Sequence, residues 1–456
     1  MITQALMDLM IKKYDNYKVY IHNLANFDGI FLIKILTKLG YCKPIIHNDK
    51  IISITFYWKD YVIHFRDSKQ LLIASLAKLG ISFGVETLKT VFPYTFVNED
   101  NLDYVGEVPE IKFFDNISYD GYNTYSSNFN NKVWSIKDET IKYCNIDYIT
   151  LFQIILKFNE LIFKMFNLNI HKYPTLSSLA FAIFRSNFME AGIIPQISGQ
   201  IEKDIRLSYT GGACDMYIPE GVSLFAYDVN SLYPSVMLNS LMPIGNPTYF
   251  EGNIRAIDQN AFGFFYCEIT APDNLVHPIL QTHVKTNNGI RTMAPLGSWT
   301  GMIFSNEMDN AMKLGYKFNI LWGYTFKSDY VFKEFVSNLY NLRLQYPKSN
   351  PLNYIAKLLL NSVYGRFGMV DSFLNVDIMD ITTFKKFEKD FAEDIFNIIE
   401  LDDKIMVVHR SAKKDLDTLL DNASETHNIS IPIASAITAY ARIHIREVKR
   451  IGMNLY

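Results

Sequence analysis

Cysteine is scarce: the 456 residues include four, Cys42, Cys144, Cys214 and Cys267, and no two form a CxxC pair. That spacing argues against a cysteine zinc site and a disulfide framework, so a reducing compartment is expected. Long apolar runs are missing as well. No stretch approaches the roughly 18 residues a bilayer-crossing helix needs, so no membrane partner is expected. The opening MITQALMDLMIKKYDNYKVY has neither a signal peptide's apolar core nor the Arg- and Ser-rich character of a transit peptide. Positive charge is not in excess either. The 44 Lys and Arg against 47 Asp and Glu leave a net charge of −3, so any nucleic-acid contact must come from a local patch.

What is present is ordinary globular material. Apolar residues make up 49% and charged residues 20%, which excludes a disordered or fibrous chain, and the length allows two to four domains. Heavy use of Ile, Asn, Lys, Tyr and Phe is the choice AT-rich codons impose, as in many organelle and plasmid genomes. Lys18 to Ile21 reads as a short buried strand. HNLANFDGIFLIKILTKLG follows, with Asp28 as a helix cap and Phe31, Ile35 and Leu39 at helical spacing. Strands are expected at Ile51 to Tyr57 and Tyr61 to Arg66, and Ser135 opens a long helix through Tyr143, Asp147, Leu151 and Ile155. This is an α/β pattern. It breaks near residue 185, at AGIIPQISGQ, a reasonable domain boundary. Beyond it, a strand at Ser223 to Tyr227 runs into a turn and a helix beginning near Ser231, and a mixed region extends to about residue 330. Two helices then flank YPKSNP, the second containing KLLLNSVYG. A charged stretch, KKFEKDFAEDIFNIIELDDK, precedes a last helix around IPIASAITAYARIHIREVKR.

Two strings carry chemistry. In YDVNSLYPSVM, Asp228 stands where an apolar strand is expected to end, and Ser231 to Tyr233 then present backbone N–H groups and an aromatic ring. A strand-end carboxylate can hold a hard cation, helix-start N–H groups receive phosphate oxygens, and a Tyr ring packs against a sugar. The plain alternative is a surface turn with an Asp cap and a core Tyr. In KLLLNSVYGRFG, Lys357, Asn361 and Tyr364 are spaced four and three apart, which puts a cation, an amide and a ring on one helix face. A nucleotide needs charge for its triphosphate, a hydrogen-bonding side chain and a flat surface for its base. An amphipathic helix with a snorkelling Lys would show the same spacing.

Together the strings resemble family B DNA polymerases. Asp228 to Pro234 match motif A, DxxSLYP, and Lys357 to Gly365 match motif B, KxxxNSxYG, in the family's order. The resemblance implies two-metal phosphoryl transfer, with Asp228 and the Val229 carbonyl holding Mg²⁺, and DNA template, primer and deoxynucleoside triphosphates as partners. Ser231, Leu232 and Tyr233 would bind nucleotide, Tyr233 screening out a ribose 2′-OH. Lys357 and Arg343 would meet the triphosphate, and Asn361 and Tyr364 would border the base. Tyr209 to Gly212, YTGG, match the YxGG template motif, with Gly211 and Gly212 allowing close backbone approach to DNA. Thr438 and Arg442 match TxxAR at the primer terminus. The block containing GSWTGMIFSNEMDNAMKLGYKF resembles the insertion of the protein-primed branch and implies a terminal-protein partner.

The same resemblance makes the first half a 3′–5′ exonuclease of the ribonuclease H-like fold. HNLANFD supplies Asn23, Phe27 and Asp28 and YCNID supplies Tyr143 and Asp147; Asn23 and Phe27 would grip an unpaired 3′ end, and Asp28 and Asp147 would hold metal. Read without the family, Asp28 is a helix cap. Ser75 and Leu76 resemble a further single-strand contact. The implied division is 1–185, exonuclease-like, and 186–456, a polymerase palm with fingers at about 330–370. Two family motifs are absent: DxE before Asn23, and YxDTD after the TxxAR helix. Truncation at both ends is therefore expected, and with it little activity of this chain alone, because one carboxylate poorly fixes two ions. A DNA-binding remnant and one half of a split polymerase are the alternatives. Asp415 and Asp417 form a D-x-D in a solvated stretch and are not expected to substitute. A mitochondrial plasmid origin fits the composition.

Overall fold

Apolar and polar residues alternate along Tyr17–Ile21, Lys50–Trp58 and Tyr61–Asp67, and these segments with Tyr41–His47 form a four-stranded sheet. A computed structural model describes residues 2–47, 50–87, 91–115, 117–130, 132–213, 218–275, 277–286, 289–369, 374–410 and 430–449. The chain divides into two units: Met1–Thr175 with Tyr346–Tyr354 and Val376–His409, and Leu176–Gln345 with Ile355–Asn375 and Arg410–Tyr456. Asp415 and Asp417 lie outside the described residues.

In the first unit the strand order is Tyr17–Ile21, Tyr61–Asp67, Lys50–Trp58, Tyr41–His47; the first pair is parallel and the others are antiparallel. Side chains alternate across a sheet, so one face gathers Val19, Ile21, Ile54, Phe56, Ile63 and Phe65. They pack on Ile33 and Leu36 of the Asp28–Leu39 helix and on Leu401 and Met406. Each fully buried side chain of this layer contributes roughly 1.5–3 kcal/mol before conformational entropy is subtracted. Leu401 comes from the charged stretch and Met406 from the strand that follows it; this region folds as the Ile381–Phe391 helix and a hairpin of Ile395–Leu401 and Lys404–Arg410. Leu374–Asp380 completes that three-stranded sheet, and Lys38 pairs with Asp402 at 2.7 Å.

The helix of the exonuclease-like string starts differently from expectation. Phe27 is its N-cap, Asp28 is its first residue and no side chain caps it; the Gly29 N–H is met by the Leu24 carbonyl at 2.9 Å instead. Ser135 does cap the long helix Ile136–Phe166, accepting from the Asp138 N–H at 3.3 Å, and Asn167 ends it in the left-handed region at φ 55°. Its buried stripe, Ile154, Ile155, Phe158 and Ile162, packs against the Leu76–Phe83 helix.

In the second unit an antiparallel sheet runs Ser298–Phe304, Gly263–Thr270, Lys317–Asp329, Met242–Glu251. Phe265, Cys267, Ile269, Ile303, Met308 and Ile320 form its core. The last helix, Ile431–Lys449, buries Ala434, Ala436, Ala439 and Ala441, whose small side chains let it lie close to the Leu232–Asn239 and Ser305–Met312 helices. The strand expected at Ser223 to Tyr227 does not form. Phe225 and Tyr227 are exposed, and no described strand pairs with the segment; an extended run becomes a strand only inside a ladder.

Candidate active site

Motif A is shaped by one backbone exception. Ser231 sits in the left-handed region at φ 56°, turning the exposed chain that carries Asp228 and Val229 into the Leu232–Asn239 helix, whose first bond is Ser235 N–H to the Ser231 carbonyl at 2.8 Å. Pro234 is tolerated because first-turn N–H groups have no partner within the helix, which leaves those of Leu232 and Tyr233 as donors. The Lys333–Gln345 helix packs on this one, and Arg343 Nη1 reaches the Ser231 hydroxyl at 3.5 Å.

Motif B is not one uninterrupted helix. Pro351–Ser362 ends before Val363, and Tyr364 opens a separate short turn, Tyr364–Phe367. The Ser362 hydroxyl bonds back to the Leu358 carbonyl at 2.7 Å, which bends helices, and Phe367 is drawn into a buried cluster with Phe181, Phe184 and Phe332. Val363 keeps helical angles, so the path is only locally broken. Lys357 is exposed, and Asn361, also exposed, donates to its carbonyl at 3.0 Å.

The Tyr233 and Tyr364 rings stack, with centroids 4.0 Å apart and planes 13° from parallel. Burial, then the neighbouring Tyr233, raises the Tyr364 pKa. Tyr209 of YTGG joins them: a side chain on Gly368 would collide with its hydroxyl, and one on Gly212 would touch the Tyr233 hydroxyl at 3.5 Å. Three strings far apart in sequence therefore converge, with Tyr209 close enough to the stacked pair for the phenols to act on one another. Gly211 faces open space.

TxxAR is placed differently from the resemblance. Thr438 is buried and its hydroxyl donates to the carbonyls of Ala434 and Ser435, within its own helix. Arg442, 7% exposed, forms a two-pronged pair with buried Glu307, 2.7 Å on each prong, and donates to the carbonyls of Thr210 and Gly211 at 2.8 and 2.9 Å. Both are engaged inside the protein, Thr438 within its own helix and Arg442 on Glu307 and the YTGG turn. Arg446 adds a bond to Asn310 at 2.5 Å.

In the first unit, the HNLANFD turn is organised by a residue that sequence reasoning missed. Asp67, 1% exposed, accepts from the N–H groups of Asn23 at 2.9 Å, Ala25 at 3.0 Å and Lys69 at 2.8 Å. Asn23 takes φ 75° and accepts from Asn26 at 2.6 Å. His22 bridges Ser68 and the Ala74 carbonyl, 3.0 Å to each. Phe27 and Asp28 are exposed. Tyr143 is buried; its hydroxyl bonds to those of Tyr94 and to Asp147, and burial, then these partners, pushes its pKa far above the phenol range, so it stays protonated. Ser75 is exposed and caps the Leu76–Phe83 helix, whereas Leu76 is core and offers no surface to a nucleic acid.

Among the described residues no three His, Cys, Asp or Glu side chains form a group able to hold a metal. Asp228 is exposed and unshared, a donor set that fits Mg²⁺ only where phosphate oxygens and water complete the shell, the usual arrangement for this ion. Asp67 and Glu307 were absent from the sequence reading because a lone acid at a strand end or in a helix reads as a cap or a solvated charge; only their partners reveal them.

Residues 8–450 match the family model for DNA polymerase type B, organellar and viral. A probable DNA polymerase of Neurospora intermedia is 39% identical over 99% of this chain and 48% of its own length; one of Ascobolus immersus is 36% identical over 96% and 37%. The chain thus spans about half the length of the first and less of the second. The fold matches phi29 DNA polymerase complexed with primer-template DNA and incoming nucleotides, with a TM-score of 0.61 at 17% identity over 98% of this chain and 70% of that one. With motif A, motif B and YTGG gathered as described and the family model spanning nearly the whole sequence, this chain belongs to the type B DNA polymerases of organelles and viruses.

Proposed function

We propose that the second unit binds a primer–template end and a deoxynucleoside triphosphate for template-directed DNA synthesis. The observation that carries this is the Tyr233–Tyr364 stack, which brings the carboxylate string and the lysine string to one place. In this reading Lys357 and Arg343 meet the triphosphate, the stacked rings present a flat face to the nascent pair, and Asp228 with the Val229 carbonyl would hold Mg²⁺. When bound, that ion neutralises phosphate charge. The phi29 neighbour complexed with primer-template DNA and incoming nucleotides supports DNA and nucleotide as ligands. The first unit is proposed as the associated 3′–5′ exonuclease, with Asn23 and Phe27 receiving a single-stranded end. The sheet between motifs A and B supports a protein-primed mode with a terminal protein.

The test is ternary-complex formation. With Mg²⁺, the matched deoxynucleotide should tighten primer–template binding by about tenfold, worth about 1.4 kcal/mol, and a mismatched one should not. Lys357→Ala should remove that increment while leaving binary DNA affinity nearly unchanged. Equal tightening by matched and mismatched nucleotides would defeat the assignment.

A further inference from the structure

The face of the first unit's sheet opposite its apolar core carries an unusual set of side chains. Strand register places Lys18 beside His64 and Tyr20 beside Arg66, all four pointing away from Val19, Ile63 and Phe65. His171, on the turn Ile170–Lys172, joins them through a 2.8 Å bond between its Nδ1 and the Tyr20 hydroxyl. Each of the five is half-buried.

Positive charge gathers here without an ion-paired acid. No ion pair to Lys18, His64, Arg66 or His171 occurs among the described residues. Asp15 is the acid facing the group, and its Oδ1 is engaged by the Val62 N–H at 2.8 Å. The Lys18 ammonium donates to the Asn16 carbonyl at 2.8 Å and to its side-chain oxygen at 3.0 Å, and His64 Nε2 meets that same oxygen at 2.9 Å. Asn16, at φ 61°, thus ties a cation and an imidazole together. The Arg66 Nε is buried and has no hydrogen-bond partner. Burial first, then Arg66, lowers the Lys18 pKa; burial, then Lys18 and Arg66, lowers that of His64; burial, then Lys18, lowers that of His171. The groups repel one another, and an anion would relieve the repulsion.

We propose that this face binds a phosphate group, free or carried on a nucleic-acid backbone. A phosphate offers several acceptor oxygens to a guanidinium fork, an ammonium and the His171 imidazole, while both ring nitrogens of His64 are held by Thr55 and Asn16. The site shares no residue with the motif A and motif B group, so it stands or falls independently of the polymerase reading.

The experiment uses this chain, Arg66→Met and Lys18→Met. Thermal denaturation is followed in inorganic phosphate and in chloride of equal ionic strength, and a fluorescent single-stranded oligodeoxynucleotide is titrated across a salt series. Phosphate, not chloride, should raise the native midpoint. Arg66→Met without anion should melt no lower than native, since a repulsion has gone, and should lose the phosphate increment. If the backbone is the source, Arg66→Met with Lys18→Met should weaken oligonucleotide binding at least about tenfold and reduce the salt slope by about 1.4, the value for two single-strand phosphate contacts. If free phosphate is the source, the increment vanishes in the variants while oligonucleotide binding is unchanged. Equal protection by phosphate and chloride, together with equal oligonucleotide binding by native and variant proteins, overturns the proposal.

Discussion

In the second unit the Tyr209–Gly212 turn is gripped from behind by a cation, whereas in the first the Asn23–Asp28 turn is gripped by an anion. Arg442 takes the carbonyls of Thr210 and Gly211; Asp67 takes the N–H groups of Asn23 and Ala25. In a trans peptide the carbonyl and the following N–H point opposite ways. The first grip therefore turns the N–H groups of Gly211 and Gly212 away from Arg442, as donors suited to phosphate. The second turns the carbonyls of His22 and Leu24 away from Asp67, and the Leu24 carbonyl closes the next helix. The sign of the buried ion decides which polarity a turn shows. A second difference is balance: Arg442 is neutralised by Glu307, while Asp67 is met by backbone dipoles and no cation pairs with it among the described residues.

The comparison breaks most readily at Glu307. Glu307→Ala strands a buried guanidinium and should cost about 3–5 kcal/mol by chemical denaturation. Glu307→Leu combined with Arg442→Met, which removes both charges, should recover most of that loss. A cost under about 1 kcal/mol for the single change would mean the pair is not what holds the YTGG turn. Asp67→Ala comes next: three N–H groups lose their acceptor, for a loss of about 3 kcal/mol. Asp67→Asn keeps an oxygen but sets an NH₂ against one donor, so an intermediate loss is expected. Amide exchange at Ala25 should accelerate in both variants, and an unchanged rate would separate Asp67 from the turn.

The smallest effect is a pH dependence of the first unit. His64 and His171 have folded pKa values below the usual 6.5, set by burial and by Lys18, with Arg66 also acting on His64 and Asp15 opposing. At low pH the unfolded chain binds protons that the folded chain refuses. Stability contributed by these groups is thus present above pH 6.5 and is lost as pH falls through and below that value. Between about pH 7.5 and about pH 5.5 the native denaturation midpoint should fall more than that of His64→Gln with His171→Gln. Parallel curves would remove the histidines from the account.

Much of the scaffold was readable locally. Ser135 and the apolar stripe of Ile136–Phe166 define that helix through capping and periodicity, and alternation defines Lys50–Trp58 and Tyr61–Asp67. Ser223 to Tyr227 shows where local reading stops: its apolar run matches a strand, but a strand exists only with a partner. Motif B fails similarly at Val363, because the break comes from a serine back-bond and from the pull of buried Phe367 on the turn.

Residue order by itself determined the family, since the DxxSLYP and KxxxNSxYG strings demand particular groups at particular spacings, and it determined the helices and strands with a strong period. Tertiary structure alone decided that Tyr233 and Tyr364 stack with Tyr209 nearby, that Arg442 faces inward to Glu307, and that Asp67 shapes a turn 44 residues earlier. The reason is physical: a side chain's partner across space depends on how distant segments pack, and no property of the residue or its neighbours encodes that partner.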